Sequence, residues 1–181
     1  HRPYNSGKPG FLGPSCTPFQ PNGDAREELV LSGLTLDRLG DRGALVGAID
    51  SFNRAADRSG MMDGMDAFRR QALGVLTSST LADALDVSKE PQSVRDAYGY
   101  GTEKHQGDGA PRLMQQFLAA RRLVEAGVRC VTISYSFWDY HGNNFALCRE
   151  NLPQLDQGVS ALVGDLHDRG LADDVAVVVW G

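Results

Sequence analysis

Two apolar segments rich in β-branched residues, 128–135 and 175–180, constrain the fold of this chain most strongly. Each has the length and continuous apolar character of a strand that is buried on both faces. A stripe with alternating spacings of three and four lies between them and predicts a helix over about 152–169: Leu152, Leu155, Val159, Leu162 and Leu166. Such a strand–helix–strand unit is almost always a right-handed parallel crossover, so the loops after both strands should lie side by side at one sheet edge.

Three regions follow from composition and periodicity. Residues 1–34 are rich in proline and glycine and are predicted to be an extended surface segment. Residues 35–111 are predicted to be helical, with helices over about 41–60, 63–76, 80–86 and 91–98 and a glycine-rich polar loop over 99–111. Residues 112–181 are predicted to form an α-β-α-β core, in which a helix ends at Gly127 and feeds the first strand.

The composition excludes several functional classes. A hydrophobic content of 41% and a net charge of −5 with scattered lysine and arginine indicate a globular domain and argue against nucleic acid as a partner. The sequence contains neither a run long enough for a membrane span nor a signal-peptide pattern. The glycine spacing of 99–111 matches no phosphate-binding or dinucleotide motif, so no nucleotide cofactor is expected. Cys16, Cys130 and Cys148 are too few for a disulfide framework, and Cys130 is predicted to be a small core residue of the first strand.

The second predicted strand is followed by one residue only, Gly181. Because functional loops of open α/β sheets leave the carboxyl ends of strands, we expect this sequence to be a fragment of a longer protein and to be inactive alone. An unpaired sheet edge would allow self-association.

The candidate chemistry lies in the loop after the first strand. Residues two apart in an extended segment point to the same side, so the carboxylate of Asp139 and the imidazole of His141 can converge on one cation such as zinc, manganese or iron. Trp138, Asn143 and Asn144 are predicted to support this pair or to contact substrate. In the alternative interpretation, the carboxylate simply orients a loop histidine. No nucleophile is identified, since Ser134 and Ser136 lack an activating base.

Five segments together resemble the DUF1501 family, a bacterial family placed within the alkaline phosphatase and sulfatase superfamily. They are Gly10-Phe11-Leu12-Gly13-Pro14, the stretch from Leu36 to Arg42, Met62-Asp63-Gly64-Met65-Asp66-Ala67-Phe68, the arginine-rich stretch from Ala119 to Arg129, and Trp138-Asp139-Tyr140-His141-Gly142-Asn143. The arginine-rich stretch and the Trp-Asp-x-His loop are the most specific of these.

The resemblance implies an α/β fold, an incomplete alkaline-phosphatase-like α/β/α sandwich with parallel strands and a helix-rich insertion. It implies a metal-dependent hydrolase of phosphate or sulfate esters, with zinc, manganese or calcium as the divalent metal and an exported or periplasmic location. Asp139 and His141 match the family motif and look like the superfamily's mid-chain metal ligands, although their spacing is usually wider. The superfamily's nucleophile would lie upstream of His1. The competing hypothesis is a non-catalytic binding or surface-assembly protein that keeps the fold.

Overall fold

The computed structural model describes residues 10–13, 16, 18–20, 74, 79–107 and 109–180. The chain divides into two compact units, residues 5–82 in one and residues 83–181 with 1–4 in the other. Most of the segment predicted for residues 1–34 and both helices predicted between 41 and 76 lie outside the described residues. Among the exceptions, Gly10–Leu12 forms a 3₁₀ turn and Gly74 is helical.

Four helices are described: α1 at Ser79–Leu85, α2 at Gln92–Tyr98, α3 at Gln115–Glu125 and α4 at Asn144–Asp168. The helices predicted over 80–86 and 91–98 and the helix ending at Gly127 are confirmed. The last helix begins at Asn144, a full two turns before the predicted start, and it contains Pro153 in its interior. None of the described helices is long and apolar enough to cross a membrane.

The glycine-rich segment predicted as a loop over 99–111 is a β-hairpin, so that prediction is wrong. Strand β1 at Gly101–His105 pairs antiparallel with β2 at Pro111–Leu113. A Cβ on Gly101 would lie 1.8 Å from the carbonyl oxygen of Arg112, and its φ is +72°. Only glycine allows this close approach of the two strands. The sequence did not indicate the hairpin, because its residues are mostly polar and few are β-branched.

The two parallel strands predicted at 128–135 and 175–180 are not confirmed, because neither segment belongs to a hydrogen-bonded sheet among the described residues. Exposure alternates from residue 131 to 135, and Ile133 and Tyr135 pack against the core. In the second segment Val175 packs against the core, whereas Trp180 is 76% exposed. The prediction for Cys130 is wrong, since this residue is exposed. Apolar character alone indicated strands here, but a strand also requires a neighbour for its backbone hydrogen bonds.

The core of the 83–181 unit lies where α2, α3 and α4 meet. Its buried cluster consists of Tyr98, Met114, Phe117, Leu118, Leu162 and Leu166. Gly158 of α4 allows α3 to approach closely, because a Cβ at this position would lie 2.7 Å from Met114 and 2.9 Å from the ring of Phe117. The helices therefore pack through a small residue on α4 and large residues at the start of α3.

A partly buried ion-pair network joins α3 to the end of α4 and to Glu90, which precedes α2. The side chain of Arg121 on α3 is 1% exposed and contacts three carboxylates, those of Glu90 at 3.0 Å, Glu125 at 2.5 Å and Asp165 at 2.9 Å. Arg169 bridges Asp165 and Glu125, at 2.7 Å from each. Each of these two guanidinium groups is thereby paired with carboxylates, which a buried guanidinium requires.

Hydrogen bonds set the protonation state of this network. Burial raises the pKa of Glu90, but hydrogen bonds from Arg121 and Arg122 outweigh burial and leave that pKa below its ordinary value of 4.5. Burial likewise raises the pKa of Asp165, and hydrogen bonds from Arg169 and Tyr98 outweigh it, so this pKa also lies below its ordinary value. Both carboxyl groups therefore remain ionised near neutral pH.

Candidate functional site

A cleft of about 530 Å³ lies between the hairpin, the loop after residue 135 and the first half of α4. We call it the Asp139–His141 cleft. Its lining combines charged and polar side chains with a few apolar ones: Gln106, Gly107, Arg112, Ser136, Phe137, Asp139, Tyr140, His141, Leu147, Glu150 and Asn151. Arg112 is the only lysine or arginine in this lining, and its side chain is 13% exposed.

The structure brings Asp139 and His141 together. The Nδ1 atom of His141 lies 3.3 Å from Oδ1 of Asp139 and 3.2 Å from its main-chain oxygen, and both side chains are largely exposed. One neutral tautomer of the ring donates Nδ1–H to these oxygens, and the other leaves Nδ1 with a free electron pair. The first tautomer corresponds to a carboxylate that orients a loop histidine, and the second makes the pair available to a cation.

The separation of these two atoms fits a shared metal ion. Two ligands on a tetrahedral zinc ion, each at about 2.1 Å, lie about 3.4 Å apart, which is close to the observed distance between Oδ1 of Asp139 and Nδ1 of His141. Within the part of the chain that the structure describes, no group of three or more His, Cys, Asp or Glu side chains could hold a metal ion. The pair therefore fits as part of a ligand set, since zinc centres use at least three protein ligands.

The other predicted site residues lie around this pair. Asn143 and Asn144 line a second, shallow cleft of about 340 Å³ that shares Tyr140 and His141 with the first. Asn143 has a left-handed backbone conformation, and its carbonyl accepts the first hydrogen bonds of α4. The indole Nε1 of Trp138 donates to the main-chain oxygen of Tyr135 at 2.9 Å. Trp138 is not among the residues that line either cleft.

Arg112 and Asn151 are cleft residues that the sequence did not reveal. The Nη1 atom of Arg112 donates to Glu150 at 2.7 Å and to the side-chain oxygen of Asn151 at 3.0 Å. These partners lie 38 and 39 positions away along the chain. A polar Asn151 inside an otherwise apolar helical stripe was the available signal, because a buried amide requires hydrogen-bond partners.

Ser136 is buried and has a left-handed backbone with φ of 59°, which is unusual for a residue with a side chain. Its hydroxyl donates to the amide oxygen of Asn151 at 3.2 Å. An amide oxygen cannot remove a proton as a general base does, so this contact does not activate Ser136 as a nucleophile. Its main-chain groups bond to Ala110 and Pro111 and tie the loop to the hairpin.

Fold and site together define a mixed α and β protein with a polar cleft beside a hairpin. The chain belongs to the family described as "Protein of unknown function (DUF1501)", whose model matches residues 1–181. No curated protein and no solved structure matches the chain.

Proposed function

We propose that Asp139 and His141 supply two ligands of a divalent metal centre in a hydrolase of phosphate or sulfate esters. The observation that carries the proposal is the approach of the carboxylate and imidazole to 3.3 Å at the mouth of a polar cleft. Mixed oxygen and nitrogen ligands suit zinc or manganese, and calcium would favour the oxygen atoms. A bound divalent cation would activate a nucleophile and stabilise charge on the transferring phosphoryl or sulfuryl oxygens.

The position of Arg112 favours an anionic substrate. It places a guanidinium, which is always charged, in the lining of the same cleft as Asp139 and His141. Guanidinium groups bind phosphate and sulfate oxygens through paired N–H donors. The carboxylate of Glu150 and the amide of Asn151 hold Arg112 from one side, which fixes where these donors lie.

The family resemblance supports the finer parts of the proposal. These are an alkaline-phosphatase-like α/β/α sandwich in which residues 128–135 and 175–180 are parallel strands, and an exported or periplasmic location. The alternating exposure of residues 131–135 is compatible with a strand that has one covered face. The remaining ligands and the nucleophile would come from groups outside the described residues.

The test is a titration of the chain with Mn²⁺, followed by NMR. Bound Mn²⁺ should broaden the imidazole resonances of His141 at a lower concentration than those of His167. His167 is a matched control, because its Nδ1 lies 3.5 Å from Oδ1 of Asp168. The side chains of His141 and His167 are also about equally exposed. Equal broadening at the two histidines would contradict the proposal.

A non-catalytic binding or surface-assembly protein is the second candidate. The exposed apolar residues Val178, Val179 and Trp180 favour it, because a monomer rarely exposes such a strip and unpaired β-prone edges associate with other chains. Sedimentation velocity would show association that grows with concentration and decreases in Val179→Lys. Association together with no preference of Mn²⁺ for His141 would favour this candidate over the hydrolase.

A further inference from the structure

The side chain of Asn151 is the centre of the hydrogen bonds in the floor of the Asp139–His141 cleft. Asn151 is buried on α4, and its amide oxygen accepts from Arg112 at 3.0 Å and from the hydroxyl of Ser136 at 3.2 Å. Its amide nitrogen donates to the hydroxyl of Tyr140 at 2.6 Å and to the carbonyl of Leu147 at 2.9 Å. Every donor and acceptor of this side chain therefore has a partner.

These partners also fix the orientation of the amide. A flipped Asn151 would direct its NH₂ group at the guanidinium of Arg112 and its oxygen at the carbonyl oxygen of Leu147, so that like partial charges would face each other. The amide nitrogen of Asn151 is therefore the donor, and the hydroxyl oxygen of Tyr140 is the acceptor.

Tyr140 lies between the two candidate ligands in the chain. Its ring is partly buried, and ring centroids of Phe137 and Trp138 lie 6.4 and 6.1 Å away. The side chains of Asp139 and His141, one position to each side, are exposed at the mouth of the cleft. The backbone turns tightly at Asp139, because the N–H of Tyr140 donates to the carbonyl oxygen of Trp138 at 2.9 Å. A hydrogen bond that holds Tyr140 inward therefore also restrains the backbone of both neighbours, which are joined to it directly in this turn.

We propose that Asn151 is a positioning residue that acts through the hydroxyl of Tyr140 to hold Asp139 and His141 in a geometry that binds a cation. The inference rests on the proposed function, since it takes this pair as metal ligands. The hydrogen bonds of the Asn151 side chain go to residues other than Asp139 and His141, and Asn151 belongs to a different element, α4. The hydrogen bond between Asn151 and Tyr140 joins the loop that carries Asp139 and His141 to α4, the longest helix among the described residues.

The variants are chosen to separate this role from folding. Tyr140→Phe removes one hydroxyl and keeps the ring, so it tests the contact even if Asn151→Ala fails to fold. Tyr100→Phe is the matched control, because Tyr100 donates its hydroxyl to Asp96 at the same distance of 2.6 Å and does not line the cleft. Asp139→Asn tests the proposed function itself.

The measurement is the dissociation constant for Mn²⁺, with the thermal midpoint recorded for each variant. Loss of a group that orients a metal ligand costs about 10- to 100-fold in metal affinity, so Tyr140→Phe should weaken binding by about tenfold. The Tyr100→Phe variant should bind like the unsubstituted chain. In a double-mutant cycle, Asn151→Ala should weaken binding much less in the Tyr140→Phe background than alone.

The outcomes separate the two proposals. If Asp139→Asn abolishes binding and Tyr140→Phe leaves it unchanged, the positioning role is wrong and the metal ligand assignment stands. If Asp139→Asn binds Mn²⁺ as well as the unsubstituted chain, the proposed function itself is wrong. A weakening in Tyr140→Phe that is matched by Tyr100→Phe would also overturn the positioning role.

Discussion

Single residues carry both the stability and the proposed chemistry of the 83–181 unit. Arg121 is a clear example, because its position on the apolar face of α3 would normally hold an aliphatic side chain. It is tolerated there because three carboxylates surround its guanidinium. The sequence showed the arginine-rich helix but not its partners, since Glu90 and Asp165 are distant in the chain and no local pattern links them.

Substitution Arg121→Met should lower the free energy of unfolding by about 3–5 kcal/mol, because it leaves the buried carboxylate of Glu90 and the half-buried one of Asp165 without their central counter-ion. Urea denaturation is the measurement. Arg149→Met is the control, since Arg149 is exposed on α4 and surface changes are usually worth within about 0.5 kcal/mol. Equal effects of the two substitutions would show that the network contributes little to stability.

The same network predicts how stability depends on pH. The folded pKa values of Glu90 and Asp165 lie below the ordinary values of 4.5 and 3.8, so the folded protein binds fewer protons than the unfolded one. Their stabilising contribution is therefore fully present above the ordinary values and is lost as pH falls through the lowered ones. Urea midpoints should decrease below about pH 4.5, with a shallower slope in Asp165→Asn than in the unsubstituted chain. Parallel slopes would contradict the assignment to Asp165.

At the scale of elements, helices were predictable and strands were not. The periodic stripe of α3, the proline before α2 and the glycines after both located these helices, because helix periodicity and helix ends are local properties. The hairpin depends on pairing between Gly101 and Leu113, which a polar, glycine-rich segment does not indicate. At 128–135 a strand was predicted that is not confirmed. The exposure of its side chains alternates as in a strand, but no hydrogen-bonded neighbouring strand lies among the described residues.

The packing of α3 on α4 can be tested with two glycines of α4. Gly158→Ala should overpack the contact with Met114 and Phe117, whereas Gly164→Ala meets open space. Both substitutions should stabilise α4 by about 0.5–1 kcal/mol, because alanine has a higher helix propensity than glycine. Overpacking at position 158 should cost about 1–3 kcal/mol. Gly158→Ala should therefore be less stable than Gly164→Ala in urea denaturation, and equal stability of the two variants would contradict the close approach.

At the scale of the whole molecule, the described residues supply only part of the site that the proposed hydrolase would need. Asp139 and His141 are two candidate ligands, and the hydroxyl of Ser136 donates to an amide. The closeness of these two side chains was predictable, because they are two positions apart in the chain. The cleft that surrounds it was not, because Arg112 and Asn151 join it only through the fold.

We therefore expect the 181-residue chain to show no turnover of 4-nitrophenyl phosphate or 4-nitrophenyl sulfate with zinc, manganese, calcium or magnesium. Two ligands hold a divalent ion weakly, and the serine of the cleft, Ser136, donates its hydroxyl to an amide oxygen rather than to a base. The assay compares the chain with an Asp139→Ala, His141→Ala double variant. Metal-dependent turnover that the double variant loses would show that no further groups are needed.

Coordination of a cation by His141 is the central claim, and electron spin echo modulation of the Mn²⁺-loaded chain tests it most directly. The technique detects a nitrogen nucleus bound to the ion. We predict modulation from one imidazole nitrogen that disappears in His141→Gln and persists in His167→Gln. Modulation that survives in His141→Gln, or no nitrogen modulation in the Mn²⁺-loaded chain, would contradict the claim.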